Sequence, residues 1–258
     1  MTDAIAPASI VTPDPEARAI RIGDVLDQAR NAFVAHWVIY SGIAMIVYAA
    51  MLAVKAPSTW TIWSDHVILI GHYWASRLDI LLDSAMQSLA DAVICFSVSQ
   101  ELRGRPFSLS QAFGVALFRS PALIAVDLLT TIYATLAALL LIVPGLIVGS
   151  VYAVALPACV IERIGPIKAM SRSTFLTKGN RWRIVGFNLF VHLGLPMPSL
   201  IIAYMGGRTG HTIFSSAVGV PVAGIANGFG AVMMAVLYAQ LRLARDGVDV
   251  EHIAAAFD

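Results

Sequence analysis

Long apolar runs separated by short clusters of charge dominate the chain. Residues 31–54 contain no Asp, Glu, Lys or Arg. A helix needs about 20 apolar residues to cross the hydrocarbon of a bilayer, so the pattern predicts a first span at 31–54. A second, weaker span is predicted at 80–100, where Asp83 and Asp91 interrupt the apolar pattern. Residues 120–161 form a 42-residue stretch with one charge, Asp127. At about 1.5 Å per residue, one helix of that length would be roughly twice as long as a bilayer is thick. Val143-Pro144-Gly145-Leu146 offers a turn near its middle, which predicts a hairpin of a third span, 120–141, and a fourth, 146–161. A fifth span is expected at 184–205 and a sixth at 213–241. The expected fold is all-α: a polytopic membrane protein of six transmembrane helices with short interfacial amphipathic helices.

Two of those shorter helices flank the first span. Ile22, Val25, Leu26, Ala29 and Phe33 share one face, and Asp24, Asp27 and Arg30 share another, as in an amphipathic helix leading into the membrane. Trp63, Val67, Ile70 and Trp74 recur at helical spacing, with Trp60 and Tyr73 beside them. This reads as a short helix in the outer interface, where Trp and Tyr concentrate. A ligand-binding aromatic cluster is the alternative. Residues 1–20, rich in Ala and Pro, are expected to be a disordered tail. They have no basic start leading into an apolar core and carry Asp3, Asp14 and Glu16, unlike a signal peptide. Residues 21–246 make the membrane domain, with no separate soluble domain, and 247–258 a cytoplasmic tail.

Composition agrees with this pattern. The chain is 58% hydrophobic and 13% charged, with mean hydropathy +0.77, against about 25% charged residues in a typical soluble domain. The net charge of +1 is uninformative, but the distribution of charge is not. With both termini inside, fourteen of the seventeen Lys and Arg fall on the cytoplasmic side and three, Lys55, Arg77 and Arg208, outside. That asymmetry follows the positive-inside rule and predicts a bacterial inner-membrane location with cytoplasmic termini. Cys95 and Cys159 lie in apolar runs without metal-ligand spacing and read as small buried residues.

Six of the basic residues fall between Val160 and Gly186. Gly165-Pro166 can open a helix and Gly179-Asn180 can close one, which predicts a helix from Pro166 to Lys178. Lys168 and Arg172 share a face there. Lys178, Arg181 and Arg183 continue the cluster, and Trp182 is placed to anchor the start of the fifth span. Three readings of this segment stand. It is a loop whose charge only sets topology; or it grips anionic lipid, worth roughly 1 kcal/mol per basic residue near the surface; or it docks on a cytoplasmic protein. The Glu-Ala-Ala signature of permease coupling loops is not met.

The same block, from Leu139 to Gly186, resembles the glycerophosphoryl diester phosphodiesterase membrane-domain family, close to the YciC-like bacterial inner-membrane proteins. The resemblance rests on Leu-Ile-Val-Pro-Gly at Leu141 to Gly145, Ala-Leu-Pro at Ala155 to Pro157, Val-Ile-Glu-Arg at Val160 to Arg163, and the run from Ala169 to Ile184. Weaker likeness extends to Ile20–Phe33, Leu102–Phe113 and the segment around Leu237–Asp249. It implies a multi-span helical protein whose biochemical role is undefined. Some relatives carry a fused soluble phosphodiesterase, which has no counterpart here, so that activity does not transfer and no catalytic residues carry over.

Three intramembrane features are candidates for function. Asp79, Asp83, Gln87 and Asp91 are spaced by four, and Asp127 lies two turns inside the third span. Carboxylates in a membrane are expensive and default to function. Asp83, Asp91 and Asp127 are the candidate polar site, with Asp91 and Asp127 able to share a proton or cation; each bonding only a neighbouring hydroxyl or backbone group is the plain alternative. Pro144, Gly145, Pro157, Pro196, Pro198 and Pro221, with Gly224 and Gly228, are candidate kink and packing positions, near which lie His192 and Asn227. No H-E-x-x-H, G-x-S-x-G, P-loop or C-x-x-C signature occurs. The sequence thus points to a non-enzymatic protein with no cofactor, no metal and no nucleic-acid partner. Its expected partners are membrane lipids, anionic ones among them, and a second copy or another membrane protein. It would organise lipid or assist other membrane components through the basic helix. The alternative is a small transporter or permease-like subunit built on Asp91, Asp127 and kinked fifth and sixth spans; a membrane-embedded lipid enzyme is a third.

Overall fold

The computed structural model describes residues 21–61, 69–104, 108–210 and 212–255. These are helical almost throughout, in ten α-helices and one π-helical turn: α1 (Ile22–Thr61), α2 (Leu69–Glu101), α3 (Leu109–Phe118), α4 (Ser120–Leu140), α5 (Ile142–Val151), α6 (Ala155–Ile161), α7 (Pro166–Thr177), α8 (Arg181–Leu189), the π-helical turn Phe190–Gly194, α9 (Met197–Thr209) and α10 (Thr212–Ala255). The expected outer aromatic helix falls mainly on residues 62–68 and lies outside the described residues. So does the N-terminal tail.

Five helical stretches are long and apolar enough to cross a membrane: Ile22–Ala50, Ser120–Leu140, Ile142–Ile161, Arg181–Gly206 and Ala217–Asp246. The expected second span, within α2, is not among them. The outside of the bundle is apolar, with Leu139, Leu140 and Ile142 more than three-quarters exposed. A surface of that kind suits hydrocarbon, and helices satisfy their backbone groups internally there.

The last helix is the centre of the bundle. Val232, Met233, Val236, Leu237 and Leu241 are buried, so α10 is enclosed nearly all round over residues 228–241, as befits a stretch apolar on nearly every face. It packs most extensively on α1 and also on α2, α6, α7 and α9. The Gly224-x-x-x-Gly228 pair makes the α1 contact possible. A Cβ on Gly224 would lie 2.8 Å from the Cβ of Met45, and one on Gly228 would lie 2.9 Å from the backbone oxygen of Tyr40. The two helices therefore meet backbone to backbone. Pro221 lies inside α10, one turn before this pair.

Three boundaries differ from the sequence expectation. The amphipathic lead-in is continuous with the first span in α1, and the only irregularity is His36, with φ −134° and ψ 30°. Val25, Ala29 and Ala32 bury its apolar face. The hairpin reverses at Leu141, which is extended (φ −162°, ψ 144°), and not at Val143–Leu146. Pro144 instead sits in the first turn of α5, where a missing N–H costs nothing. Gly145 is needed there because a Cβ would come within 2.5 Å of the Cβ of Ala138 on α4. Finally, the chain kinks ahead of Pro196 as well as at it: Phe190–Gly194 forms a π-helical turn, and Pro196 caps α9, which holds Pro198 in its first turn.

Candidate functional site

Two groups of polar side chains stand out, one inside the bundle and one at its end. The inner group lines a cavity of about 350 Å³. Gln87 and Asp91 reach it from α2, Asp127 and Thr130 from α4, Asn188 from α8, and Asn227 from α10; His192 of the π-helical turn completes it. Asp91 and Asp127, 36 positions apart in sequence, thus share one pocket. Asp83, a half-buried residue two turns earlier on α2, does not line it. Pro157 and Pro196 contribute to the wall, next to the broken stretches of helix. A π-turn of this kind shifts the side-chain register by one and is common at functional sites.

Local bonds hold the carboxylates in place. The Gln87 amide Nε2 donates to Asp91 Oδ1 at 3.0 Å, and Ser84 Oγ donates to Asp127 Oδ2. Thr130 Oγ1 donates to the Asp127 carbonyl at 3.0 Å, and Asn227 Nδ2 to the Ala223 carbonyl at 2.9 Å. Asn188 Nδ2 donates to the Gly149 carbonyl at 3.4 Å. Its Oδ1 is buried without a hydrogen-bond partner among the described residues. No Lys or Arg lines the cavity, so ionised carboxylates there would have no fixed cation beside them. Among the described residues no group of three His, Cys, Asp or Glu side chains could hold a metal ion.

The second group clamps the end of the bundle that carries most of the basic residues. The predicted basic helix is α7, opened by Gly165-Pro166 and followed by Gly179 at φ +92°. Ala169, Met170, Ser173, Leu176 and Thr177 bury one face of it. Ser173 Oγ donates to the Val151 carbonyl at 2.7 Å, at the break between α5 and α6 where that carbonyl has no helical donor. Arg172 is turned inward. Its Nε meets Glu162 Oε1 at 2.8 Å and its Nη2 meets Asp246 Oδ2 at 2.6 Å. Tyr238 donates to the same Glu162 oxygen at 2.7 Å, and Arg242 Nε lies 3.2 Å from Asp246. Burial opposes the charge on Arg172, but its bonds to Asp246 and Glu162 prevail and hold the guanidinium above its ordinary pKa. One ionic chain thus joins α6, α7 and α10.

Arg119, at the α3–α4 junction, adds a second tie. It donates to the Cys159 carbonyl at 2.6 Å and the Arg163 carbonyl at 2.5 Å, capping the end of α6. Arg163 itself adopts the left-handed conformation, φ 55°, which costs a non-glycine residue roughly 1 kcal/mol. Lys168, Lys178, Arg181, Trp182 and Arg183 remain exposed, so the basic cluster divides into a buried clamp, Arg172, and an outer surface. The sequence reading missed that division, as well as Asn188 and Thr130. The available signal was the amide of Asn188 inside the uncharged run that begins at Ile184, and the Thr130-Thr131 pair one turn after Asp127.

No family model, no curated protein and no solved structure matches the chain.

Proposed function

We propose that the chain is a non-enzymatic, polytopic membrane protein that binds a small cationic solute in the pocket around Asp91 and Asp127 and carries it as a small transporter or permease-like subunit. The observation behind this reading is the convergence of two carboxylates and polar donors and acceptors from five segments on one cavity without a Lys or Arg. A carboxylate at mid-bilayer costs about 3 kcal/mol even on the lower scales, and a bundle that only needed to pack would gain by replacing both. The volume is in the range of small-ligand sites. The Asp pair supplies charge, Asn188 Oδ1 an additional acceptor, and the π-turn with Pro196 a segment able to change its hydrogen bonding.

In this reading α2 supplies the second span, at 80–100, and brings the count to six; Asp83 and Asp91 make it weak by hydropathy alone, and both termini and the basic end face the cytoplasm of a bacterial cell. The family resemblance of the central block is compatible with such a topology. The exposed Lys168, Lys178, Arg181, Trp182 and Arg183 support a second role in holding anionic headgroups.

Uptake of labelled methylammonium into proteoliposomes tests the proposal. Wild-type protein is expected to exceed empty liposomes, and Asp127→Asn and Asp91→Asn are each expected to lose at least about tenfold, equivalent to about 1.4 kcal/mol. Uptake equal to that of empty liposomes, or unchanged in both variants, rejects it.

A further inference from the structure

A second cleft, of about 340 Å³, opens at the basic end between the last turn of α2, the end of α6 and the late turns of α10. Its long wall is one face of α10, from Ala235 through Ala239 to Arg242 and Asp246, about 16 Å at 1.5 Å per residue. The inner part is mainly apolar, formed by Ala235, Ala239 and Ile161 with Ser99 and Tyr238 among them, and Leu102, Arg103, Arg242 and Asp246 line the outer part. Asp246 is already bonded by two guanidiniums, those of Arg172 and Arg242. No carboxylate among the described residues pairs with Arg103, and its side chain is exposed. Glu101, two positions before Arg103, turns away to α1, where Tyr40 donates to it at 2.8 Å. Counted with Glu162, the cluster holds three guanidiniums and two carboxylates and carries one surplus positive charge.

We propose that this cleft seats a single anionic phospholipid, with its phosphate between Arg103 and Arg242 and the start of an acyl chain along Ala239 and Ala235. The polarity runs in the right direction: apolar toward the middle of the bundle, cationic where the apolar window of α10 ends at Asp246. One surplus charge matches one phosphodiester. Guanidiniums suit this role because their planar N–H groups bond two phosphate oxygens at once. The site is separate from the exposed face of α7 and independent of the transport reading, since none of its residues lines the Asp91–Asp127 cavity.

Native mass spectrometry of the purified protein supplemented with phosphatidylglycerol or phosphatidylcholine tests this. One phosphatidylglycerol is expected to stay bound in preference to phosphatidylcholine. Arg103→Gln, at an exposed position, is expected to cut the bound fraction at least about fivefold, and Ala239→Leu to do the same by filling the cleft. The double change Lys168→Gln, Lys178→Gln should leave it intact, as should Asp127→Asn. Glycerol phosphate, which has no tail, should not displace the lipid. Equal retention in wild type and Arg103→Gln, a loss confined to the Lys168 and Lys178 variant, or displacement by glycerol phosphate would each overturn the proposal.

Discussion

The two ends of the ionic inventory behave in opposite ways. At the basic end the partly buried charges of the clamp are paired with the other sign: Glu162 with Arg172, and Asp246 with Arg172 and Arg242. In the inner pocket two carboxylates have only neutral donors, Gln87 and Ser84, and no Lys or Arg beside them. Paired charges immobilise the helices that bear them, because separating one leaves the other desolvated and uncompensated. Acids without a fixed counter-charge accept a mobile one. The same residue types thus build a clamp in one place and, in the proposed function, a receptive site in another, and the difference lies in whether a guanidinium is within reach.

The sharpest way to break the contrast is to remove the centre of the clamp. Arg172→Ala leaves Glu162 and Asp246 facing each other's neighbourhood without their shared cation. Breaking a fully buried pair costs about 3–5 kcal/mol, and the partial exposure of Arg172 lowers the expected loss to about 2 kcal/mol. Thermal unfolding in detergent should show it, with methylammonium binding by the surviving folded protein unchanged. Asp127→Asn is the counterpart. It should leave thermal stability within about 1 kcal/mol of wild type or raise it, since a desolvated charge is removed, while transport falls. A variant that lost stability in step with transport would make the inner Asp a structural residue.

Smaller changes sharpen the comparison. Ser173→Ala removes the donor to the Val151 carbonyl and should cost about 1 kcal/mol, the usual value for one buried hydrogen bond, visible as faster hydrogen exchange around residues 151–155. Lys168→Gln, on the exposed face of α7, should shift stability by less than about 0.5 kcal/mol and so distinguish the outer basic surface from the clamp.

Local features were largely legible in the sequence. The helical class followed from the length of the apolar runs, and the α7 boundaries from Gly165-Pro166 and Gly179, because backbone punctuation is a property of neighbouring residues. What needed the fold was azimuth and distant pairing. Spacing gave Asp91 and Asp127 similar depth but could not say which way either faced. Nothing near Arg172 announces Asp246, 74 positions on. The hairpin was misplaced by a few residues because Pro-Gly is a turn signal in isolation but also a good first helical turn. The extended residue, Leu141, carries no turn chemistry at all. The π-helical turn at Phe190–Gly194 is likewise silent in sequence, since only the nearby Pro196 and Pro198 mark the region.

The Gly228–Tyr40 contact carries a consequence for how the protein is made. It joins the first helix to the last, across nearly 190 positions of chain. A ribosome adding 5–20 residues per second needs roughly 10–40 s to cover that distance. For all that time the nascent α1 stands without its main partner, its Tyr40 backbone face open to lipid or to other proteins. Assembly of this pair therefore waits for α10, and a chain truncated before Gly224 would leave α1 without the surface it packs on.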